Sequence, residues 1–323
     1  MMRGEMSLDG CRESDSVLYV IKIQKLRNAQ SEYLRALPAP SVRLNFCITG
    51  ESSMGKSTLA KALARSLCPG MRDRDCYHVV GSVKTPFDGY NGQPVIIWDD
   101  ARPLSLLETL GGRDNLFRVL DSHPTEALQN IKYGAVNLVN AYNIFTTVAS
   151  YEDFLDGLAG QYRDRNGDLV LSESRTQSYR RFPVIFRLSL EDFTLLLNKG
   201  WLNGSNEYME FAGVMRFVGG LWQLRAKYCA NGLPMTIYEP QARAKEQELL
   251  APAIDKINAL VPPQEVDGVD YTAALKAVDD ELDAEGWGRC QVIDTTLTQE
   301  PKDEQEAECK DNQDPKPVKI TYD

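Results

Sequence analysis

The sequence contains no run of 18 apolar residues, so a transmembrane helix is excluded. Its beginning, MMRGEMSLDGCRESDS, lacks the apolar stretch of a signal peptide, and we therefore expect no secretion signal. Paired cysteines are also lacking, because the seven cysteines are scattered and none belongs to a C-x-x-C motif. An odd, scattered set is typical of free thiols in a reducing cytosol and argues against a disulfide framework or a zinc site.

The remaining composition is that of a folded protein with a core of useful size. Hydrophobic residues make up 43% and charged residues 25% of the 323 residues, which suits one large domain or two small ones. The formal net charge is −10, but residues 264–323 hold 17 of the 46 acidic and 6 of the 36 basic residues. The rest of the chain is nearly neutral, so the overall charge does not argue against a polyanionic partner.

The last part of this acidic segment, QEPKDEQEAECKDNQDPKPVK, has three prolines and almost no apolar residues. Such a stretch buries too little surface to offset its ordering entropy, so we predict that residues 264–323 form a largely disordered tail. Two interpretations stay open: a passive solubilising tail, or a tail that competes electrostatically for a nucleic-acid groove.

Apolar periodicity divides the rest of the chain into three regions. In residues 1–40 the pattern predicts an irregular leader followed by a helix that ends at the segment LPAP. Residues 41–190 alternate helical segments with VRLNFCIT, PVIIW and YNIFTT, short apolar runs that are typical of buried strands. Residues 191–263 are predicted to be helical, with FTLLL, FAGVMRFVGGLWQL and AKEQELLAPAIDKINALV as the main segments. The alternation in 41–190 predicts an α/β fold with a central parallel sheet.

The strongest motif is GESSMGKS, which begins at Gly50 and fits G-x-x-x-x-G-K-[ST] in full. The strand-like segment LNFCIT precedes it and the amphipathic segment STLAKALARSL follows it. In such a strand–loop–helix arrangement, the backbone N–H groups of the loop and the helix N-terminus surround phosphate oxygens. Lys56 is predicted to place its charge at the β- and γ-phosphates, and the Ser57 hydroxyl to bind Mg²⁺. A glycine-rich turn without function is the alternative, and Thr58 can equally be a packing or capping residue. The candidate nucleotide-binding residues are Gly50, Glu51, Ser52, Ser53, Met54, Gly55, Lys56, Ser57 and Thr58.

The second motif is the apolar strand PVIIW followed by Asp99 and Asp100. Parallel strands deliver such carboxylates to the sheet edge at which α/β proteins bind ligands. Asp99 is predicted to hold Mg²⁺, directly or through water, and Asp100 to orient and polarise the attacking water. A solvated strand end is the alternative interpretation.

Two further motifs are weaker. The strand NIFTT ends in Thr146 and Thr147, whose hydroxyls can sense a γ-phosphate or can simply belong to a threonine-rich strand. The segment NIKYGAV lies between extended stretches, and its loop can direct Lys132 to a phosphate and Tyr133 to a base of a nucleic acid. An exposed hairpin loop without that role is the alternative.

Five segments of the chain together resemble the superfamily 3 helicase domain: GESSMGKST, DGYNGQPVIIWDD, LFRVLDSHP, NIKYGAVNL and YNIFTT. The resemblance is strongest to the replication initiator (Rep) proteins of rolling-circle plasmids and small single-stranded DNA viruses. The resemblance covers about residues 43–190. It implies an AAA+-like P-loop NTPase that uses ATP and Mg²⁺ and assembles into a ring, usually a hexamer. Such a ring moves 3′ to 5′ along single-stranded DNA and unwinds duplex DNA during replication. The same domain type occurs in small RNA viruses, so an RNA helicase stays an alternative.

The resemblance also implies roles for individual residues. The catalytic residues are then Lys56, Asp100, Thr147 and Arg181, with Thr146 as a second hydroxyl of the sensor strand. The residues implied to hold the metal are Ser57 and Asp99. The residues implied to contact nucleic acid in the central channel are Lys132, Tyr133 and Gly134.

Arg181, in YRRFPVIF, resembles the arginine finger that a neighbouring subunit inserts beside the γ-phosphate. A guanidinium suits that position because its charge is permanent and its planar fork bridges phosphate oxygens. Arg180 and Arg187 are alternatives for the finger. Solvated or DNA-facing cations are the other interpretation of this segment.

Two features depart from the family pattern. Val148 follows the sensor hydroxyls where the family usually has asparagine, so Thr147 takes that role or hydrolysis is slow. A nickase domain needs neighbouring histidines, but the chain has only His78 and His123, and only about 40 residues precede the ATPase core. We therefore expect a helicase without a nickase domain, with a separate nickase as a candidate partner. The expected location is the bacterial cytoplasm for a plasmid protein, which we favour, or the host nucleus for a viral one.

Two other functional classes stay open at this point. One is an ATP-gated initiator or assembly module with little unwinding activity, which Val148 and the missing nickase favour. The other is a small-molecule P-loop kinase, which leaves the acidic pair, the YGAV turn and the threonine-ended strand unexplained. Stimulation of ATP turnover by single-stranded DNA separates a motor from a kinase.

Overall fold

The computed structural model describes residues 16–80, 84–125, 128–131, 134–163, 169–171, 173–261 and 272–285. The chain divides into two units, Met1–Pro262 and Pro263–Asp323, and each is described by itself. The strands are β1 (Leu44–Thr49), β2 (Tyr77–Val79), β3 (Val95–Trp98), β4 (Leu128–Ile131), β5 (Gly134–Asn137), β6 (Tyr142–Thr147), β7 (Gln161–Arg163), β8 (Leu169–Leu171), β9 (Val184–Leu188), β10 (Asp192–Asn198) and β11 (Phe211–Val218). The helices are α1 (Ser16–Ala36), α2 (Lys56–Leu67), α3 (Asp73–Cys76), α4 (Pro103–Thr109), α5 (Arg113–Val119), α6 (Tyr151–Ala159), α7 (Thr176–Tyr179), α8 (Lys199–Asn203), α9 (Leu221–Ala230), α10 (Met235–Asn258) and α11 (Thr272–Glu285).

Seven of the described strands form one sheet in the order β11-β10-β9-β1-β6-β3-β2. The five strands from β9 to β2 in this order run parallel, whereas β10 is antiparallel to both β9 and β11. Parallel neighbours cannot be joined by tight hairpins, and the connections between them carry helices such as α2 and α6. The predicted α/β fold with a central parallel sheet is confirmed, and it is a P-loop NTPase fold. β4–β5 and β7–β8 form two separate antiparallel pairs.

The parallel strands are buried on both faces, which explains their continuous apolar runs. All six residues of β1 are buried. Because successive side chains point to opposite faces, Phe46 and Ile48 belong to a cluster with Leu63 of α2, whereas Cys47 belongs to a cluster with Phe145. The strand that leads into the nucleotide loop is therefore held by two independent packed layers.

The amino-terminal edge of the sheet is built around a buried cation, Arg43. Its Nε donates to the carbonyl oxygen of Asn140 at 2.9 Å, and its Nη2 to that of Leu138 at 2.6 Å. Its Nη1 donates to the carbonyl oxygen of Val119 at 3.2 Å. Burial lowers the pKa of Arg43 to about 10. These bonds join the start of β1 to the segment before β6 and to the end of α5.

The prediction that residues 191–263 are helical throughout is wrong for their first part. FTLLL lies in β10 and FAGVMRFV forms β11, so the central sheet continues past residue 190. Short apolar runs do not distinguish a strand from a buried helix, and here Phe193, Leu195 and Leu197 are buried against both neighbouring strands. Gly219 and Gly220 end β11, and the helical part begins only with α9 and α10.

The acidic segment contains a helix, α11, within the residues predicted to be disordered. Its sequence, TAALKAVDDELDAE, is rich in good helix formers, which explains why a net negative charge does not prevent it. The stretch QEPKDEQEAECKDNQDPKPVK lies outside the described residues. None of the helices in the described ranges combines the length and apolarity that crossing a bilayer requires.

Candidate nucleotide-binding site

Three segments of the chain meet at the carboxyl edge of the parallel sheet. The nucleotide loop, residues 50–55, follows β1, the acidic pair follows β3, and the threonine pair ends β6. β6 lies between β1 and β3 in the sheet, so the hydroxyls are placed between the loop and the carboxylates. The register pairs Thr49 with Thr147 and Trp98 with Phe145, which brings all three strand ends to a common level.

The nucleotide loop has the backbone that phosphate cradles need. Ser53 and Gly55 adopt left-handed conformations, with φ values of 65° and 82°, and α2 begins directly after Gly55. Lys56 Nζ donates to the carbonyl oxygens of Gly50 at 2.8 Å and Glu51 at 2.7 Å, so the amine closes the loop from inside. Burial lowers the pKa of Lys56, and the charges of Asp100 and Asp99 oppose that shift.

Asp99 is the centre of the site. Its Oδ1 accepts hydrogen bonds from Ser57 Oγ and from Thr146 Oγ1, each at 2.7 Å. A carboxylate and a hydroxyl at the start of α2 are the hard oxygen ligands that Mg²⁺ prefers, and this ion usually completes its octahedron with water and phosphate oxygens. Within the described ranges, no group of three or more His, Cys, Asp or Glu side chains could hold a metal. The Ser57 hydroxyl and the Asp99 carboxylate are two oxygen donors of the kind that Mg²⁺ takes.

Thr146 also fixes the second carboxylate. Its Oγ1 accepts a hydrogen bond from the backbone N–H of Asp100 at 2.8 Å, and its carbonyl oxygen accepts from the N–H of Ala101 at 2.7 Å. Asp100 adopts a left-handed conformation with φ of 51°, an uncommon backbone geometry for a residue that carries a side chain. The carboxylate is largely exposed and lies 4.0 Å from Arg102 Nη2. Water can therefore reach Asp100, as the role of a water-orienting base requires.

Thr147 has a different environment from Thr146. The side chain is buried, and its Oγ1 accepts only a 3.3 Å hydrogen bond from the N–H of Ala149 among the described contacts. Neighbouring residues of a strand point to opposite faces, so only one of the two threonines can face the acidic pair. That residue is Thr146. The sensor role of Thr147 stays a prediction, as does the consequence of Val148, which is 47% exposed.

Arg180 and Arg181 lie at the opposite edge of the sheet from the nucleotide loop. The carbonyl oxygen of Arg181 accepts a 2.7 Å hydrogen bond from Asn45 Nδ2, at the beginning of β1. The loop follows the end of the same strand, roughly 15 Å away at the rise of an extended chain. The two arginines are thus remote from the nucleotide loop of their own chain.

Arg181 makes contacts within its own subunit. Its Nη1 donates to the carbonyl oxygen and to Oε1 of Gln177, at 2.6 and 2.9 Å, and its guanidinium lies 4.7 Å from the ring centre of Phe117. Burial lowers the pKa of Arg181, and the charge of Arg180 adds to that effect. Arg180 is exposed. Arg187 is also exposed and pairs with Thr49 at the end of β9, at the same edge as the nucleotide loop.

Of the predicted nucleic-acid loop, only one residue is described. Gly134 begins β5, and Ile131, at the end of β4, is its partner in the antiparallel pair. Lys132 and Tyr133 lie outside the described residues. Their roles stay predictions from the sequence.

An ion-pair cluster that joins α2, α3, α9 and α10 was not visible in the sequence. Glu246 of α10 is 1% exposed and receives Arg65 Nη2 of α2 at 3.0 Å and Arg225 Nε of α9 at 2.7 Å. Arg225 also pairs with Glu239, and Arg243 pairs with both Glu239 and Asp73. Apart from Glu239 and Arg243, which are four residues apart on α10, these partners are far apart in the chain and no spacing rule connects them. The cluster fixes α9 and α10 to the helix that carries Lys56.

Residues 46–108 match the model of a protein family described as RNA helicase. The matched segment contains most of β1, the nucleotide loop, α2 and the acidic pair. No curated protein matches the chain. The match confirms the resemblance to superfamily 3 helicase domains over these residues and supports a helicase-type NTPase domain.

Proposed function

We propose that this protein is an ATP- and Mg²⁺-dependent helicase of the superfamily 3 type, which acts as a ring on single-stranded nucleic acid. The observation that carries the proposal is the hydrogen-bonded group of Ser57, Asp99 and Thr146 beside Lys56. It joins the three motifs that a P-loop motor needs at one sheet edge. A small-molecule kinase needs the loop but not the threonine-bearing strand between loop and acids.

Phosphoryl transfer needs little covalent help, so placement of charge around the γ-phosphate determines the rate. Lys56 exchanges its two loop carbonyl partners for β- and γ-phosphate oxygens. Ser57 and Asp99 would hold Mg²⁺, which would supply positive charge beside the phosphate oxygens. Asp100 orients the attacking water, and its backbone stays fixed by Thr146.

The position of Arg180 and Arg181 supports a ring in which each site is completed by the next subunit. A head-to-tail contact that closes on itself generates such a ring, and a hexamer is the form that the helicase resemblance suggests. In this arrangement Arg181, or Arg180, reaches the neighbour's γ-phosphate. Lys132, Tyr133 and Gly134 contact the strand in the channel, with lysine on phosphate and the ring on a base.

The biological setting that we propose is replication of a plasmid or a small virus, with single-stranded DNA as the preferred track. A separate nickase is the natural partner, because the resemblance to Rep proteins here covers only their ATPase part. The plasmid setting implies the bacterial cytoplasm. The description of the matched family favours RNA as the competing track.

The test is ATP turnover with no nucleic acid, with single-stranded DNA, and with single-stranded RNA of the same sequence, at several salt concentrations. We expect DNA to stimulate turnover most, and the stimulation to fall with salt because phosphate contacts release counterions. A forked DNA duplex with ATP then measures strand separation. Turnover that neither nucleic acid changes would overturn the motor and favour the kinase.

A second candidate is an ATP-gated assembly module with little unwinding. The local hydrogen bond of Thr147 and the exposed Val148 favour it, because no described hydrogen bond joins either side chain to the acidic pair. In that case ATP drives oligomerisation, measured by light scattering, while the forked duplex stays intact. Unwinding by the wild type excludes this candidate.

A further inference from the structure

Two cysteines, Cys68 and Cys76, meet at the carboxyl end of α2. Cys68 directly follows α2, and Cys76 is the last residue of α3. The N–H of Cys68 donates to the carbonyl oxygen of Ala64 at 3.1 Å, and Cys76 Sγ donates to the same oxygen at 3.2 Å. The two thiol groups also lie within hydrogen-bond reach of each other. Their sulfur atoms are therefore neighbours, which is the first requirement for a disulfide.

The short connection between the two cysteines is held by ion pairs. Gly70, with φ of 81°, reverses the chain after α2, and α3 begins at Asp73. The Asp73 carboxylate lies 3.5 Å from Arg65 Nη1 of α2 and 2.9 Å from Arg243 Nη1 of α10. Because one carboxylate joins α3 to both helices, the two thiols are held together in the folded protein.

The two thiols differ in exposure and in acidity. Cys68 is half-buried, whereas Cys76 is buried. Contact with Cys76 lowers the pKa of the Cys68 thiol, and burial opposes that shift. Contact with Cys68 and burial both raise the pKa of the Cys76 thiol. The thiolate is the reactive form of cysteine, so a small oxidant reacts first with Cys68, and Cys76 is placed to react with Cys68 alone.

A metal site is the other use of neighbouring thiols. Zinc takes four protein ligands in structural sites and three in catalytic ones. In the part of the chain that the structure describes, no His, Cys, Asp or Glu side chain joins this pair in a group that could hold a metal. The chemistry that two thiols perform without further ligands is oxidation to a disulfide.

We propose that Cys68 and Cys76 form a reversible disulfide in response to hydrogen peroxide. The Cys68 thiolate attacks one peroxide oxygen, an S–O bond forms, the O–O bond breaks, and the released hydroxide takes up a proton to become water. The Cys76 sulfur then attacks the Cys68 sulfur, an S–S bond forms, the S–O bond breaks, and the hydroxyl leaves as water with the Cys76 proton. The pair loses two electrons, and these reduce one peroxide molecule to two water molecules. An added dithiol restores both thiols by exchange.

The first test maps the disulfide in the wild type, full-length chain after treatment with hydrogen peroxide. Trypsin cuts after Arg72 and Arg74, both between the two cysteines, so the disulfide joins two peptides that dithiothreitol separates. We expect this linked pair to be the main oxidised product of Cys68. A Cys68 that is oxidised without a link to Cys76, or that stays reduced while the exposed Cys229 is oxidised, would overturn the inference.

The second test separates the roles of the two thiols with dimedone, a reagent that traps sulfenic acids. Cys76→Ser keeps a hydroxyl for the carbonyl oxygen of Ala64 but cannot close the disulfide, so dimedone should label Cys68 far more than in the wild type. Cys68→Ser should leave Cys76 reduced, because its thiol is buried. The control is Cys229→Ser, in which the linked pair should form as in the wild type. Equal dimedone labelling of Cys68 in the wild type and in folded Cys76→Ser contradicts the role of Cys76. None of these outcomes depends on the proposed helicase function.

Discussion

Ser57 and Asp99 are joined by a 2.7 Å hydrogen bond between Oγ and Oδ1, although they belong to two different motifs. The bond links the first turn of α2 to the end of β3 across the intervening strand. A divalent ion bound by both oxygens would take the place of the hydrogen atom that now lies between Ser57 Oγ and Asp99 Oδ1. The two residues therefore form one unit, and a change in either is expected to alter the requirement for Mg²⁺.

Asp99→Asn should lower ATP turnover by about 10²-fold, because an amide binds Mg²⁺ weakly and the ion's charge at the γ-phosphate is lost. Turnover measured against Mg²⁺ concentration should also show a higher ion requirement. Asp88→Asn, in an exposed turn, is the matched control and should behave as the wild type. A variant at position 99 with normal turnover and normal ion dependence would contradict this assignment.

Lys56→Ala should abolish ATP turnover and leave a folded protein. Among the described residues, the amine donates hydrogen bonds only to the carbonyl oxygens of Gly50 and Glu51, which water can satisfy in its absence. Turnover, nucleotide binding and the melting temperature are the measurements. Lys61→Ala, on the exposed face of the same helix, is the control. Retained turnover in Lys56→Ala removes the loop from the mechanism.

The sequence predicts the nucleotide loop and the acidic pair because both are local patterns at strand ends. Parallel strand ends share an edge, so the meeting of Lys56 with Asp99 follows from the topology. The choice between Thr146 and Thr147 does not, since it depends on which of the two side chains lies on the same face of the sheet as Asp99. The contact of Arg181 with Phe117 depends on tertiary packing and cannot be read from the sequence. The same holds for the ion pair of Arg65 and Glu246, because no periodicity relates these two residues. The apolar runs in residues 191–218 are too short for their length to distinguish a strand from a helix, so the sequence did not predict β10 and β11.

A finger supplied by the neighbour should show complementation between inactive subunits. Arg181→Ala and Asp100→Asn should each lower turnover, and mixing them should restore up to about a quarter of the wild-type rate if they alternate randomly around a ring. Restoration occurs because some sites combine Asp100 of one subunit with Arg181 of the next. The measurement is turnover at varied mixing ratios, with assembly confirmed by light scattering.

Arg187→Ala is the control for this experiment, because Arg187 lies at the nucleotide edge of its own subunit. We expect Arg187→Ala to lower turnover through the site of its own chain, so mixing it with Asp100→Asn should restore nothing, since every site then lacks one of the two residues. Arg180→Ala distinguishes the two neighbouring arginines. If Arg181→Ala shows no restoration and Arg180→Ala does, the finger is the exposed Arg180 and the contact with Gln177 is structural.

The ion pairs of α10 should make stability depend on pH in the acid range. The hydrogen-bonded Arg225 guanidinium, assisted by Arg243, lowers the pKa of Glu239 to about 2 from 4.5. A carboxyl whose pKa is lower in the folded protein stabilises the fold above its unfolded pKa, and that contribution is lost as the pH falls from 4.5 through 2. The free energies of unfolding in urea of the wild type and Glu239→Gln should therefore differ most above about pH 5 and converge toward pH 2.

The control is Glu248→Gln, because Glu248 is an exposed partner of Lys245, and the free energy of unfolding should change little at any pH. A constant difference between the wild type and Glu239→Gln at all pH values contradicts the ion-pair origin.

Lys132→Ala should separate nucleic-acid binding from ATP chemistry. Position 132 connects the paired strands β4 and β5, away from the nucleotide loop in sequence. We expect basal turnover to persist, while stimulation by single-stranded DNA falls and the log–log slope of DNA binding against salt decreases by about 0.7 for each phosphate contact removed from the strand. Lys132→Arg should keep the charge and most of the stimulation. If Lys132→Ala binds DNA with the wild-type salt slope, the strand lies elsewhere, and the hairpin has no role in the channel.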